Sequence, residues 1–324
     1  MDFWSFLANA LPSAIAISTV YLYGCTGEII TEKSGQLNLG IPGIMCVGTF
    51  GGCLGVSLYM SMVGNNPVWI LLILFALLFS AIFSAIAGLI YAFLTVSLKS
   101  NQNVTGLALT IFGAGFADYF MNTINKDRFA IASNVITKHL PLADMLGDFG
   151  KIFLGHGILV YLAIAIAIVA GIVLKKTSVG LSLRAVGENP ATADAAGINV
   201  TKYKYLAIII GSMISGFGGL FYVMDYVGGS WENSSTIQGM GWLAIALVIF
   251  ALWRPILGIL GSFIFGFLYV CQVKIIGVSF TQMKLLGLLP YVVTIIVLVI
   301  TSIFGSKNIQ PPESLGENYF REER

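Results

Sequence analysis

The stretch SGQLNLGIPGIMCVGTFGGCLGVSLYMSMVGNNPVWILLILFALLFSAIFSAIAGLIYAFLTVSL, from Ser34 to Leu98, contains no Lys, Arg, Asp or Glu in 65 residues. A helix needs about 20 apolar residues to cross a bilayer, so this run is long enough for more than one membrane span. Asn65-Asn66-Pro67 marks a turn inside it, because Asn-Pro disfavours a continuing helix. The stretch therefore predicts membrane helices joined by a short turn.

Shorter charge-free runs recur along the rest of the chain, at 3–27, 152–174, 205–224, 233–253, 255–273 and 285–306. The 324 residues are 57% hydrophobic and 10% charged, with a net charge of +2. Typical soluble domains carry about 25% charged residues. This composition excludes an ordinary soluble domain, a disordered chain and a basic nucleic-acid-binding protein. It predicts an all-α polytopic membrane protein.

We expect nine membrane helices, or ten if the region from 68 to 112 holds an additional crossing. The nine are predicted at 8–27, 39–63, 68–97, 102–124, 152–174, 205–226, 238–253, 255–273 and 285–304. They form one transmembrane domain over residues 1–304, which includes loops at 126–151 and 175–204. A tail follows at 305–324. The four cysteines lack CxxC spacing and are expected to be small buried hydrophobic residues.

The Lys and Arg residues in the loops predict the orientation of the chain. If the 175–204 loop is cytoplasmic, its side of the membrane collects eleven basic residues and the other side six. The 305–324 tail is then cytoplasmic and the 126–151 loop external, in a multi-pass protein of the plasma membrane (a bacterial inner membrane). The side of the N-terminus stays open, because one broken or re-entrant helix would reverse it.

Two polar interruptions, at Gly35–Gly43 and Ser100–Gly106, predict broken or re-entrant helices. Gly, Asn and Pro leave backbone groups unpaired, which lipid does not tolerate, so such segments must face protein or a water-filled path. Broken helices near the membrane midplane commonly build substrate sites in transporters. The alternative that both segments are surface loops stays open.

The 175–204 loop contains a short, strongly bounded helix. Asn189 is a good N-cap, Pro190 suits the first helical position and Gly197 suits the left-handed position after the helix. A helix of about two turns is not stable alone in water, so it must dock. It docks either on a soluble partner subunit or on the ends of this protein's own helices.

Several stretches together carry a family resemblance. They are GEIITEKSGQLNLG (27–40), NQNVTGL (101–107), LRAVGENP (183–190) leading to AAGI (195–198), and YFREER (319–324). With these stretches the chain resembles the permease subunits of ATP-binding-cassette (ABC) importers, in the group for branched-chain amino acids, ribose and nucleosides. It is most similar to nucleoside permeases that work with a basic-membrane-protein-type lipoprotein.

The resemblance implies an assembly of two permeases (sibling or identical), a nucleotide-binding ATPase subunit with two cassettes, and an extracytoplasmic substrate-binding lipoprotein. The helix at Pro190–Ala196 would be the cytoplasmic coupling helix, seated in the ATPase. The residues expected to couple are Arg184, Glu188, Asn189, Pro190, Asp194 and Gly197. The chain has no Walker A motif, so ATP and Mg²⁺ are expected on the partner. We expect no catalytic residue, metal site or cofactor in this chain.

Recognition of a neutral nucleoside needs amide groups and aromatic faces. The candidate pathway residues are Asn38, Asn101, Gln102, Asn103, Phe112, Phe116, Asp118 and Trp242. Asp118 is included because it interrupts an otherwise uncharged span, and carboxylates inside membranes are commonly functional. Ordinary packing is the alternative for the aromatic members.

We therefore expect the pathway-forming subunit of an ATP-driven nucleoside importer, with purine nucleosides the first choice of cargo and alternating access the mechanism. An ABC permease for a simple sugar or another small polar solute is the first alternative. A proton-coupled secondary transporter, with Glu28, Asp118 or Asp225 as relays, is the second. An intramembrane enzyme is disfavoured, because the sequence has two histidines and neither a GxSxG nor an HExxH motif.

Overall fold

The computed structural model describes residues 3–139, 147–274, 280–304 and 310–320, and these residues form helices and connecting turns without a strand. The helices are α1 (Phe3–Glu32), α2 (Ile41–Val63), α3 (Trp69–Ala92), α4 (Gln102–Met121), α5 (Phe129–Ile136), α6 (Gly147–Phe153), α7 (Ile158–Lys176), α8 (Ser178–Glu188), α9 (Pro190–Ala195), α10 (Val200–Phe221), α11 (Ser235–Phe250), α12 (Pro255–Lys274), α13 (Phe280–Leu286) and α14 (Leu289–Phe304). Parts of the predicted 126–151 loop and 305–324 tail, at 140–146, 305–309 and 321–324, lie outside the described residues.

Within the described residues, nine apolar helices coincide with the nine predicted spans. Seven are long and apolar enough to cross a membrane, and α11 and α14 are shorter apolar helices. Several boundaries differ from the prediction: the first span ends at Glu32 and not at 27, the sixth begins at Val200 and not at 205, and the ninth begins at Leu289 and not at 285, while α11 is Ser235–Phe250 and not 238–253. The fifth span begins at Ile158 and not at 152, because Gly157 has an extended backbone. The fourth ends at Met121 and not at 124, where Asn122 caps it. The expectation of an all-α polytopic membrane protein is confirmed.

The bundle has a buried centre and an apolar periphery. At least two-thirds of the residues are buried in the spans of α1, α2 and α10, whereas fewer than half are buried in those of α3, α4, α7 and α12. The exposed faces of the outer helices are aliphatic, as on α3 and α12, which is what lipid contact requires.

Small residues hold the central helices in close contact, as predicted for the Gly-rich face of α10. A Cβ atom on Gly211 would lie 2.5 Å from the carbonyl oxygen of Gly27 in α1, which leaves no room for a methyl group. A Cβ on Gly219 would lie 2.3 Å from the carbonyl oxygen of Met45 in α2. Such backbone approach supplies dispersion contact in a bilayer, where no hydrophobic effect drives helices together.

The two helix junctions with polar sequences, the short helices α8 and α9 and residues 313–320 lie at one end of the bundle. The α1–α2 junction, the α3–α4 junction, helices α8 and α9, and residues 313–320 contact one another there. We call this end the loop end and residues 313–320 the tail segment. The opposite end holds the α2–α3 turn at Gly64.

Candidate coupling and pathway site

The first break, between α1 and α2, is stabilised by hydrogen bonds inside the protein. The backbone N–H of Asn38 donates to the Glu28 carboxylate at 2.9 Å, and the Asn38 side-chain oxygen accepts from the N–H of Gly40 at 2.9 Å. Both Glu28 and Asn38 are fully buried. Asn38 therefore shapes the break, and Glu28 supplies an acceptor that helix geometry does not provide there.

Neighbouring helices pair the remaining backbone groups of the first break. The Tyr91 hydroxyl donates to the carbonyl oxygen of Leu37 at 2.5 Å, and the Thr110 hydroxyl donates to that of Leu39 at 2.8 Å. Non-helical backbone at membrane depth is tolerated where protein satisfies it in this way. The segment between Glu32 and Ile41 is non-helical and protein groups pair its backbone, while its place in a broken helix along the pathway stays a prediction.

The second break is shorter than predicted, because the helix resumes at Gln102. Asn101 caps α4 by accepting a hydrogen bond from the N–H of Val104 at 3.0 Å, so 102–106 lie in its first turns. The irregular backbone is confined to the residues before the cap, where Lys99 has a φ of 55°. Asn101 and Asn103 are exposed at this end of α4.

Gln102 joins the two breaks to each other and to the tail segment. Its side-chain oxygen accepts from the N–H of Leu37 at 2.8 Å. Its side-chain nitrogen donates to the carbonyl oxygen of Glu317 at 3.3 Å and to the Asn318 side chain at 3.4 Å. Gln102 is buried, and its side-chain amide hydrogen-bonds α4 to the first break and to the tail segment.

The aromatic candidates of α4 lie along its outward face. Phe112 is exposed and Phe116 half-buried, with their ring centroids 5.9 Å apart, and Phe116 packs edge-to-face on Phe50 of α2. Tyr119 continues the exposed face. Trp242 is half-buried on α11. An exposed aromatic face of this kind is available to a solute or to another subunit, so the pathway assignment stays a prediction.

Asp118 lies in α4 and caps a second helix. Its carboxylate accepts from the backbone N–H of Ser234 at 2.8 Å and from the Ser234 hydroxyl at 2.7 Å, directly before the first residue of α11. A negative charge at a helix N-terminus is favoured by the helix dipole. The contact gives this isolated carboxylate a positioning role; a role in the pathway stays a prediction.

The predicted short helix outside the membrane spans is present as α9. The Asn189 side-chain oxygen accepts from the N–H of Thr192 at 2.9 Å, and Pro190 occupies the first turn. Gly197 follows with a φ of +84°, in open space, and its N–H returns to the carbonyl oxygen of Asp194. Both ends are therefore capped as the residue types require.

Helix α9 docks on this protein's own helices through one face. Ala193 is buried with Val186 of α8 and Val200 of α10, so the alternative of internal packing is correct for that side. On the other side Thr192, Ala195 and Ala196 are exposed. One face of α9 is thus packed against the protein, and its exposed face is accessible to a partner.

The tail segment was not predicted as part of the site, yet it connects every element at the loop end. The Ser314 hydroxyl donates to the Gly187 carbonyl oxygen at 2.5 Å, and the N–H of Gly316 donates to that of Gly35 at 3.1 Å. The Tyr319 hydroxyl donates to the Asp194 carboxylate at 2.8 Å. The tail segment lacks hydrophobic periodicity, so only its polar and aromatic side chains hinted at docking.

Two further contacts of the tail segment fix the α3–α4 junction. The Asn318 side chain donates to the carbonyl oxygen of Lys99 at 2.6 Å, and the Lys99 ammonium lies 4.1 Å from the centroid of the Phe320 ring. A cation over an aromatic ring at this distance is attractive. The left-handed Lys99 is therefore held through both its backbone and its side chain.

The remaining coupling candidates lie beside α9. Glu188 is exposed and accepts from the N–H of Glu313 at 3.3 Å. Arg184 is half-buried on α8.

A polar recess of about 900 Å³ opens between α9, the start of α10 and the tail segment. Lys99, Lys202 and Lys204 line it together with Asp194. Lys204 is almost fully buried at the recess, so a cation is presented there from the second turn of α10. The recess lies next to the exposed face of α9 and offers room for side chains of a partner.

The fold and this site define a polytopic helical membrane protein whose interrupted helices meet beside a docking helix. Residues 10–300 match the family described as branched-chain amino acid transport system / permease component, and the chain belongs to that family.

Individual relatives align over most of their length. The chain is 33% identical over 309 residues to the nucleoside ABC transporter permease protein NupC of Lactococcus lactis subsp. cremoris, with 94% of each chain covered. It is 30% identical over 339 residues to the guanosine ABC transporter permease protein NupQ of Bacillus subtilis, with 100% of each covered. TsgC13 of Haloferax volcanii, provisionally named a glucose ABC transporter permease, is 33% identical over 278 residues, 83% of this chain and 78% of the relative. No solved structure matches the chain significantly.

Proposed function

We propose that this chain forms the membrane pathway of an ATP-driven importer for nucleosides. The observation that carries the proposal is the full-length similarity to two proteins named as nucleoside and guanosine permeases, with 94% and 100% of each chain covered. A neutral cargo also fits spans with very few charges. A simple sugar is the alternative cargo, supported by the similarity to TsgC13.

The energy would come from a separate nucleotide-binding subunit with two cassettes, which would hold ATP and Mg²⁺. That subunit would dock on the exposed face of α9, formed by Thr192, Ala195 and Ala196. A second permease, identical or sibling, would complete the pathway, and an extracytoplasmic lipoprotein would deliver the solute. The exposed aromatic face of α4 is available for the second permease.

The contacts at the loop end suggest how movement of α9 would reach the pathway. A displacement of α9 would act on α10 through Val200 and on the tail segment through Tyr319. The tail segment would pass it to Gln102, which follows the second break in α4 and bonds to Leu37 in the first break. Cassette closure would then favour one of two arrangements of the breaks, which is alternating access by a population shift.

The loop end would face the cytoplasm. The excess of Lys and Arg around the 175–204 loop supports this orientation, and the contact between Tyr319 and α9 keeps the tail segment on the same side. A membrane-impermeant maleimide applied to intact cells should label Asn65→Cys in the α2–α3 turn and spare Ala196→Cys. Labelling of Ala196→Cys alone would reverse the orientation.

Uptake of radiolabelled guanosine tests the cargo and the energy source. We expect native cells that lack the chain to lose uptake, and the restored gene to return it. ATP depletion with the proton gradient intact should abolish uptake, while collapse of the gradient with ATP present should spare it. The reverse pattern would favour the proton-coupled transporter, and competition by glucose or fructose but not by nucleosides would favour the sugar permease.

A further inference from the structure

A second cavity, of about 500 Å³, lies at the loop end where α7 and α8 meet the turn before α12. Four of its lining residues are cations: Lys33, Lys175, Arg184 and Arg254. They come from four separate segments of the chain, and no carboxylate belongs to the lining. This cavity is separate from the recess beside α9.

Three of the four cations, Lys33, Arg184 and Arg254, are close enough to act on one another. Burial lowers the pKa of Lys33 from its ordinary value; Arg184 and Arg254 lower it further, while Glu188 and Glu32 oppose them. The Glu188 carboxylate accepts from the N–H of Glu313, and the Glu32 carboxylate accepts from the indole N–H of Trp253, which is a lining residue of the cavity.

The side chain of Arg184 carries an unused donor at this cavity. Its Nε atom is buried and has no hydrogen-bond partner among the described residues. A buried donor without a partner is costly, and for a charged group the cost is larger. An anion in the cavity would pair this donor and reduce the repulsion between the four cations.

Helix α12 adds to the positive potential, because it begins at Pro255 in the lining and its N-terminus points the positive end of the helix dipole there. The convergence of four cationic side chains and the buried, unpartnered Arg184 donor are two independent observations that point to an anionic ligand.

The surroundings of the cavity are partly charged and partly apolar, which suits an amphiphilic ligand. It lies at the ends of the membrane-crossing helices α7 and α12, which is the depth of lipid headgroups. Leu174 and Ile256 contribute apolar lining, and Ile256 and Leu260 are 54% and 60% exposed along the outer face of α12. A free inorganic anion would use the cations alone, whereas a lipid would also cover the aliphatic surface.

We propose that this cavity binds the phosphate headgroup of an anionic phospholipid, with its acyl chains against α7 and α12. The proposal is independent of the cargo and of ATP coupling. Each Lys or Arg near the membrane surface strengthens the binding of an anionic headgroup roughly fivefold.

The test compares lipid binding to the purified full chain in nanodiscs by native mass spectrometry. Phosphatidylglycerol is titrated against phosphatidylcholine as the neutral probe. We expect wild-type protein to retain phosphatidylglycerol preferentially, and the double variant Lys175→Gln/Arg254→Gln to bind it at least tenfold more weakly. Both side chains are exposed at the mouth, so the fold tolerates the changes.

The matched control is Lys176→Gln, which removes a neighbouring exposed lysine that does not line the cavity. It should bind like wild type, and Arg254→Lys, which keeps the charge, should lose less affinity than Arg254→Gln. Equal retention of the two lipids, or equal losses in the double variant and the control, would overturn the proposal. Full displacement of phosphatidylglycerol by millimolar inorganic phosphate would assign the cavity to a free anion and overturn the lipid.

Discussion

The hydroxyl of Tyr319 donates a hydrogen bond to the carboxylate of Asp194 at 2.8 Å, and this contact joins the tail segment to helix α9. The two residues are 125 apart in the sequence. Because Gly316 and Asn318 bind the two helix junctions, the contact places α9 and the breaks in one hydrogen-bonded unit. This arrangement makes the tail segment a positioning element of the proposed coupling.

Tyr319→Phe should reduce nucleoside uptake severalfold while the protein stays folded. The change removes one hydrogen bond, worth about 1 kcal/mol, and leaves the ring in place. Uptake and thermal unfolding of the purified protein measure the two effects. Tyr161→Phe is the matched control, since it removes a single hydrogen bond to the carbonyl oxygen of Phe153, away from α9. Equal loss of uptake in both variants would contradict the role of the tail segment.

Gly197→Val should lower uptake by at least tenfold through loss of the end of α9. A β-branched residue at a φ of +84° costs about 1–2 kcal/mol in backbone strain, although open space surrounds the position. Gly64→Val is a matched control, because Gly64 has a φ of +77° and open surroundings at the opposite end of α2. Normal uptake in Gly197→Val, at normal expression, would refute a coupling role for α9.

Asp118→Ala should destabilise the protein by about 1–3 kcal/mol, because the N–H of Ser234 loses its acceptor at the start of α11. Chemical unfolding in detergent measures the loss. Ser234→Ala should show a smaller loss, and the double variant should show a coupling energy of about 0.5–3 kcal/mol. Because Ser234→Ala keeps the backbone N–H, a zero coupling energy would mean that the bond from the Ser234 hydroxyl to Asp118 does not contribute to stability.

A second substitution at Asp118 distinguishes an ATP-driven importer from a proton-coupled transporter. Asp118→Asn keeps an acceptor oxygen but cannot carry a proton as a carboxylate does. We expect substantial uptake in Asp118→Asn, measured with ATP present. Complete loss of uptake with an intact fold would instead support the relay role considered for Asp118.

The stability of the protein should fall as the pH drops below about 6.5, with His156 contributing. Burial lowers the pKa of His156 from 6.5, although its hydrogen bond to the Ile152 carbonyl oxygen opposes the shift. The unfolded chain then binds more protons, so this stabilisation is present above the unfolded pKa and is lost as the pH falls through the folded pKa. The melting temperature at pH 7.5 and pH 5.5 measures it.

His156→Gln should have a flatter dependence of melting temperature on pH than the wild type. His139→Gln, at an exposed position, is the control and should keep the wild-type dependence. A wild-type dependence in His156→Gln would show that another group is responsible.

The sequence predicted features that depend on local chemistry. Charge-free runs located the nine apolar helices, because lipid excludes charges over the length of a span. Asn189 and Gly197 located both ends of α9, because caps depend on neighbouring residues. The Gly-rich face of α10 was readable for a similar reason.

The missed features depend on residues far apart in the chain. Asp118 and Ser234 are 116 residues apart, and the reach of Gln102 to the tail segment spans 215 residues. Neither contact leaves a periodic pattern, and a single amide or carboxylate in a span has several possible partners. The predicted second break was too long, because Asn101 is the N-cap of α4 and residues 102–106 form its first turns.

The bond from Gln102 to the tail segment also has a consequence for biogenesis. The tail segment follows α14 in the chain, so the nine apolar helices can enter the membrane before the loop end is complete. A nascent chain that stalls after α14 would have its spans inserted, yet α9 would lack the bond to Tyr319 and the breaks would lack their shared brace. Synthesis of the tail segment would then be the step that makes the subunit competent for assembly, which separates membrane insertion from maturation in time.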